Sequence, residues 1–318
     1  MRVATDRCSV NSLIETPGCS PVEGIVRWDP VHSVWNGGML LTSLVLAPWL
    51  FSRSALLIFV LLTGASLLLG HSVGFHRRLI HRSFDCPKWV ERALVWIGTC
   101  VGMSGPLWMI RTHDMRDWAQ RQRDCHDYLA HRQSMLRDAY WQLHCRLDLQ
   151  RPPAFDYGDA GGDRFYRFLE ATWMAQQIPI AVLLFLGGGW SWVVWGICVR
   201  VSISVTGHWF VGHLAHRRGP QSWLVKDAGV QAHDVPWAAI PTMGEAWHNN
   251  HHAFPGSARI GLHPGQSDWG YAFIKLLETL GLAWNIVLPQ HLDRAAAVMQ
   301  ISRESTPDPA SPISLTQV

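Results

Sequence analysis

Two long apolar runs limit what this chain can become. Residues 34 to 69 are almost uniformly apolar, interrupted at Pro48 and again over Phe51 to Ser54, and residues 171 to 205 repeat the pattern around Gly187, Gly188 and Gly189. A membrane-spanning helix takes about 20 apolar residues. Each run therefore reads as a helical hairpin whose arms reach into their flanks, the second arm through Gly70 to His76. Two hairpins make four spans. Residues 89 to 110 are apolar too, but Gly98, Gly102, Gly105 and Pro106 break them, which favours an interfacial or re-entrant segment over a fifth span. An even number of spans leaves both ends and the long middle segment on one side. Arg77, Arg78, Arg82, Arg217 and Arg218 stand at span ends facing that side, which marks it as cytoplasmic. The expected fold class is an all-α membrane protein: four transmembrane helices in two hairpins, with a cytoplasmic helical cap.

Residues 1–30 are polar and turn-rich, and the tail over 301–318 is rich in Ser, Thr and Pro, so both read as flexible ends around one membrane domain at 31–300. The 18 Trp suit membrane interfaces, where the ring is buried and the N–H stays wet. Asp6, Glu15, Pro17 and Glu23 break any secretory pattern, so no cleavable signal peptide is expected. A net charge of +3 without a dense basic stripe excludes nucleic acid as a partner. The 7 Cys contain no C-x-x-C pair, which argues against a disulfide framework or a zinc ribbon.

Most of the 17 His fall in the stretches this topology places on the cytoplasmic side. The tightest cluster is His248, His251 and His252. On a helix, positions i, i+3 and i+4 share a face, so the three imidazoles can converge on a metal pair. At the exit of the first hairpin, His76 and His81 are five apart. On a regular α-helix their rings point about 140° apart, so the helix has to bend or unwind near Ile80 for both to reach one centre. Ligation by neutral imidazole suits Fe, Zn or Cu.

Gly74 to Phe84 (GFHRRLIHRSF) and Gly244 to Leu262 (GEAWHNNHHAFPGSARIGL) resemble the first and third histidine boxes of the membrane fatty acid desaturases, in particular the acyl-CoA delta-9 branch. The resemblance covers roughly residues 35 to 290. It implies that His76, His81, His248, His251 and His252 are iron ligands. It also implies a further ligand at His216, after the last span, where the family's Asn-x-x-x-His element has Gly212 in place of Asn.

The second box diverges: where the family has H-x-x-H-H, the chain reads His113-Asp-Met-Arg-Asp117. His113 is kept, Asp117 lies on the same helical face and is a sound iron ligand, and Arg116 cannot bind a cation. Pairing of Arg116 with Asp114 or Asp117 is the alternative role for it. Spare histidines that offer compensation are His126, which repeats the x4 spacing with His131, and His213; His71 and His208 also lie close by. Arg77, Arg78, Arg217 and Lys226 near the mouth are expected to contact a CoA phosphate, with anchoring to lipid headgroups as the alternative.

Taking hydrogen from an unactivated methylene calls for an oxidant of the strength that two irons make from O2 and two electrons, and no G-x-S-x-G elbow or comparable triad offers another chemistry. The resemblance thus implies O2-dependent desaturation of a fatty acyl chain, on CoA or on a lipid, in an apolar tunnel lined by Trp and Phe. Two alternatives stay open. One is a related di-iron hydroxylase or acetylenase; the other is a non-catalytic metal-binding membrane scaffold. His263-Pro264-Gly265 is similar to the haem-ligand motif of cytochrome b5, but no second haem histidine surrounds it and it reads as a turn. Electrons are then expected from a separate donor of ferredoxin, rubredoxin or cytochrome b5 type.

Overall fold

The computed structural model describes residues 12–292 and 298–301. Helix α1 (Pro30–Leu46) starts where Asp29 Oδ1 accepts from the amides of Val31 and His32 and Pro30 takes the first helical position. Helix α2 (Arg53–Ala65), capped by Ser52, runs on without a break into a π-helical segment over Ser66–Ile80, giving one rod of 28 residues. Helices α3 (Lys88–Cys100) and α4 (Pro106–Arg121) follow, parted by a turn in which Gly102 adopts φ 87°. This is where the sequence placed glycine and proline breaks.

Short helices α5 (Asp127–Ala130), α6 (Met135–His144), α7 (Asp159–Gly162) and α8 (Arg164–Thr172) build the middle segment. The second apolar run is α9 (Gln177–Val193), a π turn over Val194–Val199 and α10 (Arg200–Ala215). Its helical winding is lost at Gly188 (φ −154°) and Gly189 (φ 62°). Helices α11 (His248–Ala253) and α12 (Trp269–Thr279) complete the helical part.

Among the described residues, two helical stretches, residues 53–80 and 177–215, are long and apolar enough to cross a membrane. Their outer faces and that of α1 carry exposed apolar side chains, among them Leu44, Leu57, Leu61, Leu183 at 70% and Leu186 at 78%. Surfaces of that kind are stable against lipid, not water. The breaks in the two runs meet: Ser191 Oγ donates to Leu50 O (2.7 Å), Trp192 Nε1 to Ser54 Oγ (3.0 Å) and Trp195 Nε1 to Ala47 O (3.2 Å). Deeper in, fully buried Arg200 satisfies its guanidinium on Gly196 O, Cys100 O and Gln177 Oε1, which ties α9 and α10 to the end of α3.

The chain is mostly helical, not all-α as the two apolar runs suggested. Among the described residues there are three two-stranded antiparallel sheets: β1 (Leu13–Ile14) with β4 (Ala154–Phe155), β2 (Ser20–Trp28) with β3 (Cys145–Arg151), and β5 (Trp223–Val225) with β6 (Val298–Gln300). Helical periodicity in the spans said nothing about these short pairings, which join segments far apart in sequence. β1 and β2 lie inside the segment 1–30 that was expected to be flexible; residues 1–11 and 302–318 of the two expected flexible ends lie outside the described residues.

The π segment is held by close packing on α3. A Cβ at Gly70 would stand 2.5 Å from Gly98 N, and one at Gly74 2.6 Å from Leu94 O, so only glycine allows the backbones this near. Val73, Phe84, Val90, Leu94, Ile274 and Leu277 close the core on one side of the segment, with α12 as its cover.

Candidate metal centre

The π winding resolves the spacing of the first box without a bend. His81 N donates to His76 O (3.1 Å), an i→i+5 bond, and the wider turn brings residues five apart back to one face. The two rings sit 4.7 Å apart. His113 arrives from α4 and His251 from α11. Ring separations run from 4.5 Å (His76–His251) to 5.9 Å (His113–His251), and one nitrogen of each of His76, His81, His113 and His251 lies within 4.8 Å of the others.

A second group stands next to the first. His248 and His252, one turn apart on α11, meet His216 at the end of α10. His248 Nε2 is 3.2 Å from His216 Nε2 and 3.1 Å from His252 Nε2. Imidazole nitrogens on bonds of about 2.1 Å at right angles around a metal are about 3 Å apart, so the spacing is that of cis ligands. The third box is thus shared: His248 and His252 serve one group and His251 the other, their rings 5.7 Å apart for His248 and His251.

At His76 and His216 the second ring nitrogen has a partner, and acids lie near that of His113. Glu245 Oε2 lies 2.6 Å from His76 Nδ1, and Glu245 Oε1 accepts from Arg77 Nη1 (2.8 Å). His216 Nδ1 donates to Gly212 O (2.7 Å), which leaves its Nε2 lone pair for the group. Asp114 and Asp117 lie 3.7 and 3.9 Å from His113 Nδ1. Partners of this kind fix tautomer and ring direction in metal sites. Beneath α11, Asp234 Oδ1 accepts from Asn249 N (3.0 Å), and Asn249 Oδ1 accepts from the amides of Ser222 and Trp223.

Burial holds His81, His216, His251 and His252 well below the usual imidazole range and His248 down at about 3. These rings are neutral, the form that binds metal. For His113 burial acts in the same sense, but Asp117 and Asp114 outweigh it and raise the value. His81 Nε2 and both nitrogens of His251 are buried without a hydrogen-bond partner. A buried cluster of bare nitrogens is costly unless a cation fills it, and an all-imidazole set suits iron, zinc or copper. The residues fit a pair of such ions.

Of the expected ligands, His76, His81, His113, His216, His248, His251 and His252 are brought together. Asp117 belongs to neither group; it stands behind His113. His126 caps α5, its Nδ1 accepting from Tyr128 N (3.1 Å), away from both groups. His213 Nδ1 donates to Asp138 Oδ2 (2.8 Å) in a third, separate cluster with His131. Arg116 pairs with neither aspartate; its Nη2 donates to Gln142 Oε1 (2.6 Å).

Of the three arginines expected at a substrate mouth, Arg77 and Arg78 are turned inside the protein and Arg217 is exposed. Arg77 is 1% exposed and bonds Glu245, Asp268 (2.7 Å) and Ser72. Arg78 pairs with Glu91 (2.5 Å), and Arg217 Nη1 holds the carbonyls of His131 and Gln133. Their ion pairs with acids of the chain aim Arg77 and Arg78 inward, away from a phosphate at the surface, while Arg217 stands at the surface. Sequence reasoning missed Glu245, although it stands three residues before His248, and Asp138, which only the fold brings to its histidines.

The profile of the fatty acid desaturase family matches residues 52–266. The chain is 35% identical over 251 residues to the sn-2 palmitoyl-lipid 9-desaturase of Nostoc sp. (strain 36), covering 76% of this chain and 85% of that one. It is 32% identical over 268 residues to the Acyl-CoA 5-desaturase AL21 of Anemone leveillei (84% and 82%) and 35% over 244 residues to the sn-1 stearoyl-lipid 9-desaturase of Anabaena variabilis (75% and 86%).

Proposed function

The chain belongs to the fatty acid desaturase family, and on that footing we propose that it inserts a double bond into a fatty acyl chain at a pair of irons held by the two histidine groups. His76, His81, His113 and His251 would hold one ion; His216, His248 and His252 would hold the other. The observation that carries this reading is the sharing of one six-residue helix, α11, between two adjacent groups of buried, neutral imidazoles.

When bound, the irons supply the oxidising power that side chains lack: the acyl chain gives up two hydrogens from neighbouring methylenes, and O2 is reduced to two waters with two electrons and two protons. Everything else falls to the chain's own residues. Glu245, Gly212 O, Asp114 and Asp117 orient the ligand rings, and the buried pairing of Arg77 with Glu245 and Asp268 locks α11 and α12 to the π segment. Close packing around the nitrogens excludes water, which protects a strong oxidant from side reactions. The substrate is an acyl thioester or an acyl lipid, classes named among the relatives, and electrons come from a separate ferredoxin, rubredoxin or cytochrome b5-type protein.

The proposal places one desaturase domain at about residues 31–300 in four spans forming two hairpins, with α1 and the rod 53–80 in one and the two parts of 177–215 in the other. The histidines then lie at the cytoplasmic ends of the spans. Expression in a host with defined lipids tests the reading. The wild-type protein is expected to produce monounsaturated chains two mass units lighter than their precursors, and His251→Ala to reduce them to background. A product heavier by one oxygen, or an unchanged profile for both proteins, would reject desaturation.

A further inference from the structure

The two histidine groups are unequal: the first offers four nitrogens, the second three. We infer that His131 is a fourth imidazole for the second ion, an inference that rests on the di-iron reading above. His131 ends α5 in a left-handed conformation (φ 51°, ψ 34°), which a residue with a Cβ adopts only when its surroundings enforce it. Its backbone is clamped there by Arg217, whose Nη1 donates to His131 O (3.0 Å) and Gln133 O (2.8 Å). The side chain is 1% exposed.

Its tautomer is fixed. Asp138, wholly buried, lies with Oδ2 2.9 Å from His131 Nδ1, and the same oxygen accepts from His213 Nδ1 (2.8 Å) and Trp209 Nε1 (2.9 Å). Three N–H donors on one carboxylate oxygen leave it no capacity for a cation, so the cluster His131, Asp138, His213 is a hydrogen-bonded support and not a third metal site. With its proton on Nδ1, His131 carries its lone pair on Nε2, and that atom is buried with no hydrogen-bond partner. A metal-ligating histidine braced by a carboxylate has this form.

The ring lies against the second group. The His131 ring stacks on His216 at 5.2 Å with an angle of 11° between planes, inside the 4.5 to 5.9 Å range of ring separations within the first group. His131 Nε2 also lies close to Gly212, one turn before His216: a Cβ there would stand 3.9 Å from it, in ordinary van der Waals contact. The residues that depart from the second box complete the support. Arg116 donates to Gln142 Oε1, and Gln142 Nε2 donates to Tyr128 O (2.6 Å) inside α5, so Arg116 reaches the helix that presents His131.

Iron content and the Mössbauer spectrum of ⁵⁷Fe-loaded protein test the inference without recourse to turnover. The wild-type chain is expected to bind two irons with distinguishable quadrupole doublets. His131→Ala should lose or shift one doublet and leave the other, which also shows that the fold survives, and added imidazole should restore the missing signal. Asp138→Asn should weaken that same iron by about 10- to 100-fold in competition with a chelator, the usual effect of removing a ligand's carboxylate partner. Two unchanged doublets in His131→Ala would overturn the inference, as would loss of both irons that imidazole does not restore. Wild-type protein that takes up fewer than two irons would instead sink the di-iron reading itself, and this inference with it.

Discussion

At the scale of single residues, the site is decided by what each imidazole does with its second nitrogen. Ring direction is set by Glu245 at His76 and by a backbone carbonyl at His216, and two aspartates lie within 4 Å of Nδ1 at His113. Glu245 has a second task, since its other oxygen pairs with buried Arg77, whose remaining contacts are Asp268 and Ser72. Glu245→Gln keeps the shape and removes the charge. It should lower iron affinity in the first group by about 10- to 100-fold while leaving the second iron in place, read by chelator competition. Leaving Arg77 with one acid in place of two should also reduce stability by about 1–3 kcal/mol, measured by thermal unfolding in detergent. Seven of the eight expected ligands stand in the two groups, and the sequence pointed to them because histidines in tight spacing have few other reasons to gather near span ends. Asp117 was misplaced for a physical reason: four residues after His113 does put it on the same helical face, but at the ring's outer nitrogen and not across a shared ion. Arg77 and Arg78 turned inward for a similar reason, because charge in a sequence does not reveal whether its partner is a ligand or a carboxylate of the same chain.

At the scale of elements, the decisive piece is the π-helical segment Ser66–Ile80. A regular α-helix through the first box would separate His76 and His81 by about 140°, and the i→i+5 winding removes that separation while the rod stays continuous with α2. Sequence alone established that the helix must deviate but not how, since π winding is stabilised by what packs on it. Here that packing is α3 against Gly70 and Gly74. Gly74→Ala would push a methyl into Leu94 O, a backbone atom that cannot rotate away. A loss of about 1–3 kcal/mol is expected from the overpacking, seen as a lower unfolding midpoint in detergent, and iron in the first group should weaken more than iron in the second because His76 is two residues on. Equal loss from both groups would show that the π segment does not act on His76 in particular. The α11 helix was the easier element to anticipate. Its i, i+3, i+4 pattern needs no tertiary context, although its division between two groups does.

At the scale of the whole molecule, the apolar segments and the histidines lie at opposite ends of the same helices. The breaks at residues 47–52 and at Gly188–Gly189 touch one another through Ser191, Trp192 and Trp195. The far ends of the same runs carry His76, His81 and His216. In the proposed four-span topology the touching breaks face outward and the histidines face the cytoplasm, where an electron donor can reach them. The positive-inside argument rests on arginines that mostly turn out to have partners in the protein, so the orientation needs a test that does not depend on charge. Trp49, 87% exposed in the first break, and Arg218, exposed beyond α10, mark the two ends. In a version of the chain with its native cysteines replaced and its activity retained, Trp49→Cys should react with a membrane-impermeant maleimide in intact cells. Arg218→Cys should react only in inverted vesicles. Labelling of both from one side would mean that the runs do not cross the bilayer between those points, and the reverse pattern would move the histidines to the outer face, away from any cytoplasmic donor.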